Sequence, residues 1–179
     1  GEESFGFLPY DKVRDKDAPA SICLICEIAA WAKDQGLTLY DLLMQIYLEY
    51  GFSLEHTINV VKPGKTAAYE SKPLMADFRA DKARTPIAGS PVVLTKGFQA
   101  LTATDAQGHT TAIDMPARSN VLQWFCADGT KISVRPSGTE PKIKFYCEVK
   151  GTMECAACYT AARNAALQKI EEIKKSLAL

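Results

Sequence analysis

The chain has 179 residues, 47% of them hydrophobic, and 21 Lys and Arg exactly offset 21 Asp and Glu. That suffices for one domain, or a domain and a fragment, around a buried core. A neutral chain argues against the extended positive face that a nucleic-acid backbone requires. The most apolar stretch, Ala18 to Ala32, is interrupted by Glu27 and is shorter than the roughly 20 residues that span a bilayer. The first residues are acidic and lack an apolar run, so no signal peptide is expected, and nothing demands an oxidising compartment, which makes the cytoplasm the expected location. An opening Gly1-Glu2-Glu3-Ser4 without Met reads as a cut piece of a longer polypeptide.

Glu2 and Ser4, flanked by Gly1 and Gly6, form a compact acceptor and donor pair suited to sugar hydroxyls, or simply an acidic chain end. Arg14-Asp15-Lys16-Asp17 alternates in sign and reads as a solvated charge cluster or as an electrostatic site. Pro19 then starts a helix with Ile22, Ile25, Cys26, Ala29 and Ala30 at helical spacing and Gly36 past its end. Leu24, Ile28 and Trp31 make it apolar on other faces too, so it expects burial on several sides. Thr38 caps a second helix carrying Leu39, Leu42, Leu43, Ile46, Tyr47 and Tyr50, which Gly51 stops.

From Phe52 the pattern becomes mixed. Leu54, His56, Ile58 and Val60 alternate with their neighbours as in a strand that Pro63-Gly64 ends. Gly64-Lys65-Thr66 lacks the leading glycine of a nucleotide-binding loop. Ser71 and Pro73 suit a short helix with Leu74, Met75 and Phe78, and residues 80–97 read mostly as loop. Phe98 to Thr104 is a candidate strand. Val121 to Cys126 is another, and Asp128-Gly129 is the strongest hairpin signal in the chain. A last helix from about Met153 places Cys155, Tyr159, Ala162, Ala166, Ile170, Ile173 and Leu177 in one stripe, to lie across one face of a sheet.

Six cysteines include two C-x-x-C pairs, Cys23/Cys26 and Cys155/Cys158. Four thiolates at that spacing can bind zinc, but both pairs fall inside amphipathic helical patterns without knuckle turns, so core packing is expected over metal or disulfide. Cys126 and Cys147 sit at strand positions and read as core. His56 and His109 lack partners at catalytic spacing and read as structural or solvated. No covalent nucleophile motif is present.

One stretch carries chemistry. Arg135-Pro136-Ser137-Gly138-Thr139-Glu140-Pro141 lies between two strand patterns, Lys131 to Val134 and Lys142 to Val149. Arg135 offers a planar fork of donors, Ser137 and Thr139 offer hydroxyls, and Gly138 admits close backbone N–H approach, which together suit a phosphate. From Lys131 to Lys144 three Lys and one Arg face one Glu, a local net charge of +3. The plain reading is a polar hairpin turn, and Glu140 opposes an anion unless it points away.

Arg135 to Pro141, continued by Lys142, resembles the R-P-S-G-T-E-P-K phosphate-binding signature of the α-D-phosphohexomutases, the phosphoglucomutase and phosphomannomutase family. Gly1 to Gly6 independently resembles that family's sugar-binding loop, and the two come in the family's order. The resemblance implies an α+β fold: a C-terminal domain of antiparallel sheet packed by helices, TATA-box-binding-protein-like, preceded by a helical fragment of the third domain. Residues 1–36 would be that fragment with the sugar loop, 37–52 a linker helix, and 53–179 the phosphate-binding domain. It further implies that Glu2 and Ser4 contact the sugar, and that Arg135, Ser137, Gly138 and Thr139 hold the phosphate that is not reacting.

Arg14 to Asp17 resembles the R-[DE]-K-D segment of the phosphoglucomutase-like branch. Lys16 is thus the candidate for assisting proton transfer or holding phosphate oxygens, and Arg14 for electrostatic support. Many members carry His just after the sugar loop; Phe7 stands there, so that role does not transfer. The amino-sugar branch usually has Gln where this chain has Glu3, which favours a glucose or mannose phosphate. The family implies a phosphoserine and a magnesium loop on earlier domains; the chain contains neither motif, so no metal ligand is expected in it. Expected partners are a hexose phosphate and the earlier domains, with no nucleic acid and no membrane. Without those domains the first helix would keep apolar surface and favour self-association. The competing class is a non-enzymatic module, either anion-binding or zinc-dependent.

Overall fold

The computed structural model describes residues 6–12, 14–61, 75–80, 86–137 and 142–179. Two compact units divide the chain: one comprises the residues up to Gly51 together with Met153–Tyr159, the other Phe52–Thr152 with Thr160–Leu179.

The first unit is helical. Helix α1 (Ala18–Asp34) starts where the Asp17 carboxylate accepts a 3.1 Å bond from the Ala20 N–H and Pro19 occupies the first turn, where a missing donor costs nothing. Helix α2 (Leu39–Tyr50) opens with a capping box in which Thr38 Oγ1 accepts from the Asp41 N–H and Asp41 accepts from the Thr38 N–H. The Thr38 hydroxyl, which donates to the Asp41 carboxylate at 2.6 Å, and then the Thr38 N–H hold that carboxyl below its ordinary value. Apolar side chains on both helices stay uncovered: Ile22, Ile25, Trp31 and Ile46 are exposed, while Ala32 and Met44 are buried. Tyr159 stacks on Tyr47 at 6.1 Å and meets Tyr40 edge-on at 5.9 Å.

The second unit is built on an antiparallel sheet that has, among the described residues, seven strands in the order β1-β7-β6-β5-β2-β3-β4. The strands are β1 (Phe52–Val61), β2 (Val92–Gly97), β3 (Thr102–Asp105), β4 (Thr110–Ala112), β5 (Leu122–Cys126), β6 (Lys131–Pro136) and β7 (Lys142–Gly151). Period-2 alternation sends Leu122, Trp124 and Cys126 of β5, Ile132 and Val134 of β6, and Ile143, Phe145, Cys147 and Val149 of β7 to one buried face. Phe78, on a helical segment over residues 75–80, packs edge-on against Trp124 at 5.9 Å and Phe145 at 5.5 Å. Helix α3 (Tyr159–Ser176) buries Ala166, Ile170 and Ile173, and Leu177 just beyond it is buried as well. Two polar ties orient this helix: Lys169 pairs with Asp128 in the β5–β6 turn, and Ser176 Oγ accepts from the Ala88 N–H at 2.9 Å.

The α+β class and the antiparallel sheet packed by helices are as expected from the sequence, and three local readings are corrected. Residues 92–97 form a strand in place of a loop: Pro91 and Gly97 bound β2 rather than breaking it. Phe98 to Leu101 is a turn, with Phe98 N–H donating to Val121 C=O, so β3 begins only at Thr102. The last helix begins at Tyr159 after a 3-10 turn at Ala156–Cys158, which takes Cys155 out of its stripe.

The cysteine reading also changes. Cys126 and Cys147 are buried, and burial pushes their thiols up to about 11 and about 12. Cys23 and Cys26, expected in a core, are exposed, because Ala32 is the residue of α1 that its unit buries. Cys155 and Cys158 are joined by a disulfide: the 3-10 turn brings their Cα atoms to 5.2 Å, within bridging range.

Candidate functional site

Strands β6 and β7 form the hairpin that presents the Arg135 to Pro141 stretch. Their register sets Arg135 opposite Lys144 and Pro136 opposite Ile143, and the Ser137 N–H donates to the Lys142 C=O at 2.8 Å. The bend is therefore clamped by ladder bonds up to its last described residue on each side. Gly138 and Thr139 lie outside the described residues, as do Glu140 and Pro141. Val134 and Ile143 face the core, so alternation turns Arg135 and Lys144 to the opposite, open face, where Arg135 is exposed.

Side chains directly opposite one another on a sheet face are neighbours, so Arg135 and Lys144 can reach one ligand together. Lys144 lies 5.7 Å from the centre of the Tyr146 ring, and Lys142, two residues nearer the bend, is on the same face. An ion-paired carboxylate marks the other end of the hairpin. Glu148 receives Lys150 at 2.7 Å and Lys131 at 3.3 Å, and the hydrogen bond from Lys150 chiefly holds its carboxyl below the ordinary value. Between the two ends, Gln123 donates to Ser133 at 2.9 Å. Strand register thus sets Arg135 and Lys144 side by side on the open face near the bend.

Lys144 was not singled out from the sequence. Alternation put it on the polar face, but its position opposite Arg135 depends on a pairing between strands that no local pattern specifies.

Arg14 and Lys16 belong to the helical unit, on the segment that leads to α1, and both are exposed. Lys16 pairs with Asp15 at 3.3 Å, and the Lys16 N–H donates to the same carboxylate at 2.7 Å. Those contacts, the backbone bond first, lower the Asp15 carboxyl. Glu2 and Ser4 lie outside the described residues. No group of three or more His, Cys, Asp or Glu that could hold a metal ion occurs among the described residues. The donors around the bend are cationic and do not fit magnesium. The zinc alternative loses its donor set as well, since Cys155 and Cys158 are bonded to each other. Among the described residues, no helix is long and apolar enough to cross a membrane.

The fold defines an α+β domain, an antiparallel sheet packed by helices, in which the β6–β7 hairpin sets Arg135 beside Lys144. The family follows from comparison. Residues 95–166, which include this hairpin, match the model described as phosphoglucomutase/phosphomannomutase, C-terminal domain. The chain carries the C-terminal domain of that family. Phosphoglucomutase from Staphylococcus haemolyticus (strain JCSC1435) is 36% identical over 146 residues, covering 81% of this chain and 26% of the relative. Phosphoglucomutase from Staphylococcus aureus (strain MRSA252) is 36% identical over 150 residues, 83% of this chain and 27% of the relative. The chain thus spans about a quarter of the length of these curated relatives. The crystal structure of the exocytosis-sensitive phosphoprotein pp63/parafusin from Paramecium, a phosphoglucomutase in its open form, is alike in fold. It aligns with a TM-score of 0.50 at 16% identity, over 98% of this chain and 30% of that one.

Proposed function

We propose that the chain is the C-terminal part of a cytoplasmic phosphoglucomutase or phosphomannomutase whose complete polypeptide interconverts a hexose 1-phosphate and its 6-phosphate. In that reading residues 1–36 are the tail of the third domain, 37–52 a linker helix and 53–179 the phosphate-binding domain. The observation that carries it is the pairing of Arg135 with Lys144 beside a bend clamped by the Ser137 N–H, within the segment that matches the family. Arg135 supplies a forked donor, Ser137 and Thr139 hydroxyls, Gly138 close backbone approach, and Lys144 a second charge. Together they hold the phosphate that is not reacting, and contribute positioning and electrostatics rather than bond making.

Glu2 and Ser4 grip sugar hydroxyls, Lys16 assists proton transfer or holds phosphate oxygens, and Arg14 gives electrostatic support. Phosphoryl transfer runs through a phosphoserine and a bisphosphate intermediate on the earlier domains. Magnesium held by those domains would supply the charge balance for the phosphoryl group. The test compares this chain with the complete polypeptide in a coupled assay of glucose 1-phosphate isomerisation. The complete protein turns over and loses at least about tenfold in kcat/KM on Arg135→Ala, the loss of a charge-assisted contact, while this chain alone is inactive. Robust turnover by this chain alone, or an unchanged kcat/KM in the variant, overturns the reading.

A further inference from the structure

The Cys155–Cys158 bridge plays no part in the phosphate reading, and its surroundings suit exchange better than a structural role. The bonded loop holds two intervening residues, so its closure removes little entropy from the unfolded chain compared with a long-range disulfide. Cys155 is exposed and Cys158 half-buried, so an external thiol has access to the bridge at Cys155. Cys155 also makes no side-chain capping bond to the 3-10 turn that follows. Cys158 immediately precedes helix α3, an 18-residue helix whose N-terminal end carries partial positive charge that favours a thiolate there.

We propose that Cys155 and Cys158 form a reversible thiol–disulfide exchange site, with Cys155 the sulfur attacked from solvent and Cys158 the leaving thiolate. The reductant is a small dithiol, two molecules of a monothiol such as glutathione, or a protein dithiol. A reductant thiolate attacks Cys155 Sγ, forming a mixed disulfide and breaking the Cys155–Cys158 bond, and the electron pair of that bond leaves on Cys158 Sγ. A second reductant thiolate attacks the reductant sulfur of the mixed disulfide and expels Cys155 as thiolate. The reductant ends as a disulfide, the chain as two thiols, and the two protons given up by the reductant thiols neutralise the two cysteines. Oxidation by glutathione disulfide runs the same steps backwards. Cys126 and Cys147 are sealed in the core and take no part.

The test uses the 179-residue chain with Cys23→Ser and Cys26→Ser, equilibrated natively in glutathione buffers of stepped reduced-to-oxidised ratio. Free thiols are trapped with a maleimide and counted by mass spectrometry, with far-UV circular dichroism recorded throughout. Cys155 and Cys158 change together from two labelled thiols to none, reversibly and at constant ellipticity. At the reducing end Cys155 labels at least about tenfold faster than Cys126 or Cys147, as its exposure and their burial require. Adding Cys158→Ser traps a glutathione mixed disulfide on Cys155. A bridge that resists reduction until the chain unfolds, a pair that stays reduced in excess glutathione disulfide, or no mixed disulfide in the variant overturns the proposal. The phosphate site does not enter this experiment, so neither outcome bears on it.

Discussion

Replacing Arg135 by Ala separates a functional cation from a structural one. Arg135 is exposed on the sheet surface opposite Lys144, where a side chain contributes little to stability. Without phosphate, Arg135→Ala therefore leaves urea stability within about 0.5 kcal/mol of the parent. Phosphate separates the two proteins. A ligand present at ten times its Kd stabilises the folded chain by about 1.4 kcal/mol. Losing charge-assisted bonds worth about 2 kcal/mol weakens binding about 30-fold, so the variant gains only about 0.2 kcal/mol at the same concentration. The assay is equilibrium urea unfolding with and without inorganic phosphate, ionic strength held constant with chloride to remove screening differences. Equal stabilisation of both proteins by phosphate, or a collapse of the variant without it, would refute the reasoning.

Asp128 contributes stability that depends on pH. Burial alone would raise its carboxyl, but bonds from Lys169 and Thr130 outweigh that and hold it at about 2 against an ordinary 3.8. A depressed carboxyl stabilises above its unfolded value and loses the contribution as pH falls from about 4 to about 2. Asp128→Asn therefore costs about 1 kcal/mol at neutral pH, after discounting for partial exposure, and flattens acid unfolding in that window. Gly129 has φ +83, and an added Cβ would come within 3.0 Å of Lys150 Cγ, so Gly129→Ala lowers stability by about 1 kcal/mol in urea unfolding. Phe78, 2% exposed between Trp124 and Phe145, costs about 3–5 kcal/mol on substitution by Ala in the same assay; a loss under 1 kcal/mol would contradict its place in the core.

The elements with local chemistry were legible in the sequence. Thr38 and Gly51 bracket α2, and Asp128-Gly129 makes the β5–β6 turn because glycine adopts the left-handed backbone there. Alternation in β7 assigned Ile143, Phe145, Cys147 and Val149 to one face, and all four are buried. Elements fixed by distant partners were not legible. Val92 to Gly97 becomes a strand because β5 and β3 flank it, although Pro91 and Gly97 read as loop residues. Tyr159 rather than Met153 begins α3, since the bridged turn at Cys155–Cys158 intervenes. At the candidate site, residue types showed that the bend is polar and basic, whereas the partner of Arg135 is set by the β6–β7 register.

The most direct measurement is a heteronuclear NMR titration of the isotopically labelled chain with glucose 6-phosphate. Backbone amide shifts concentrated between Arg135 and Lys144, saturating with one site and lost in Arg135→Ala, are the predicted result. Shifts spread elsewhere, absent, or unchanged by the substitution would contradict a phosphate site at the β6–β7 bend.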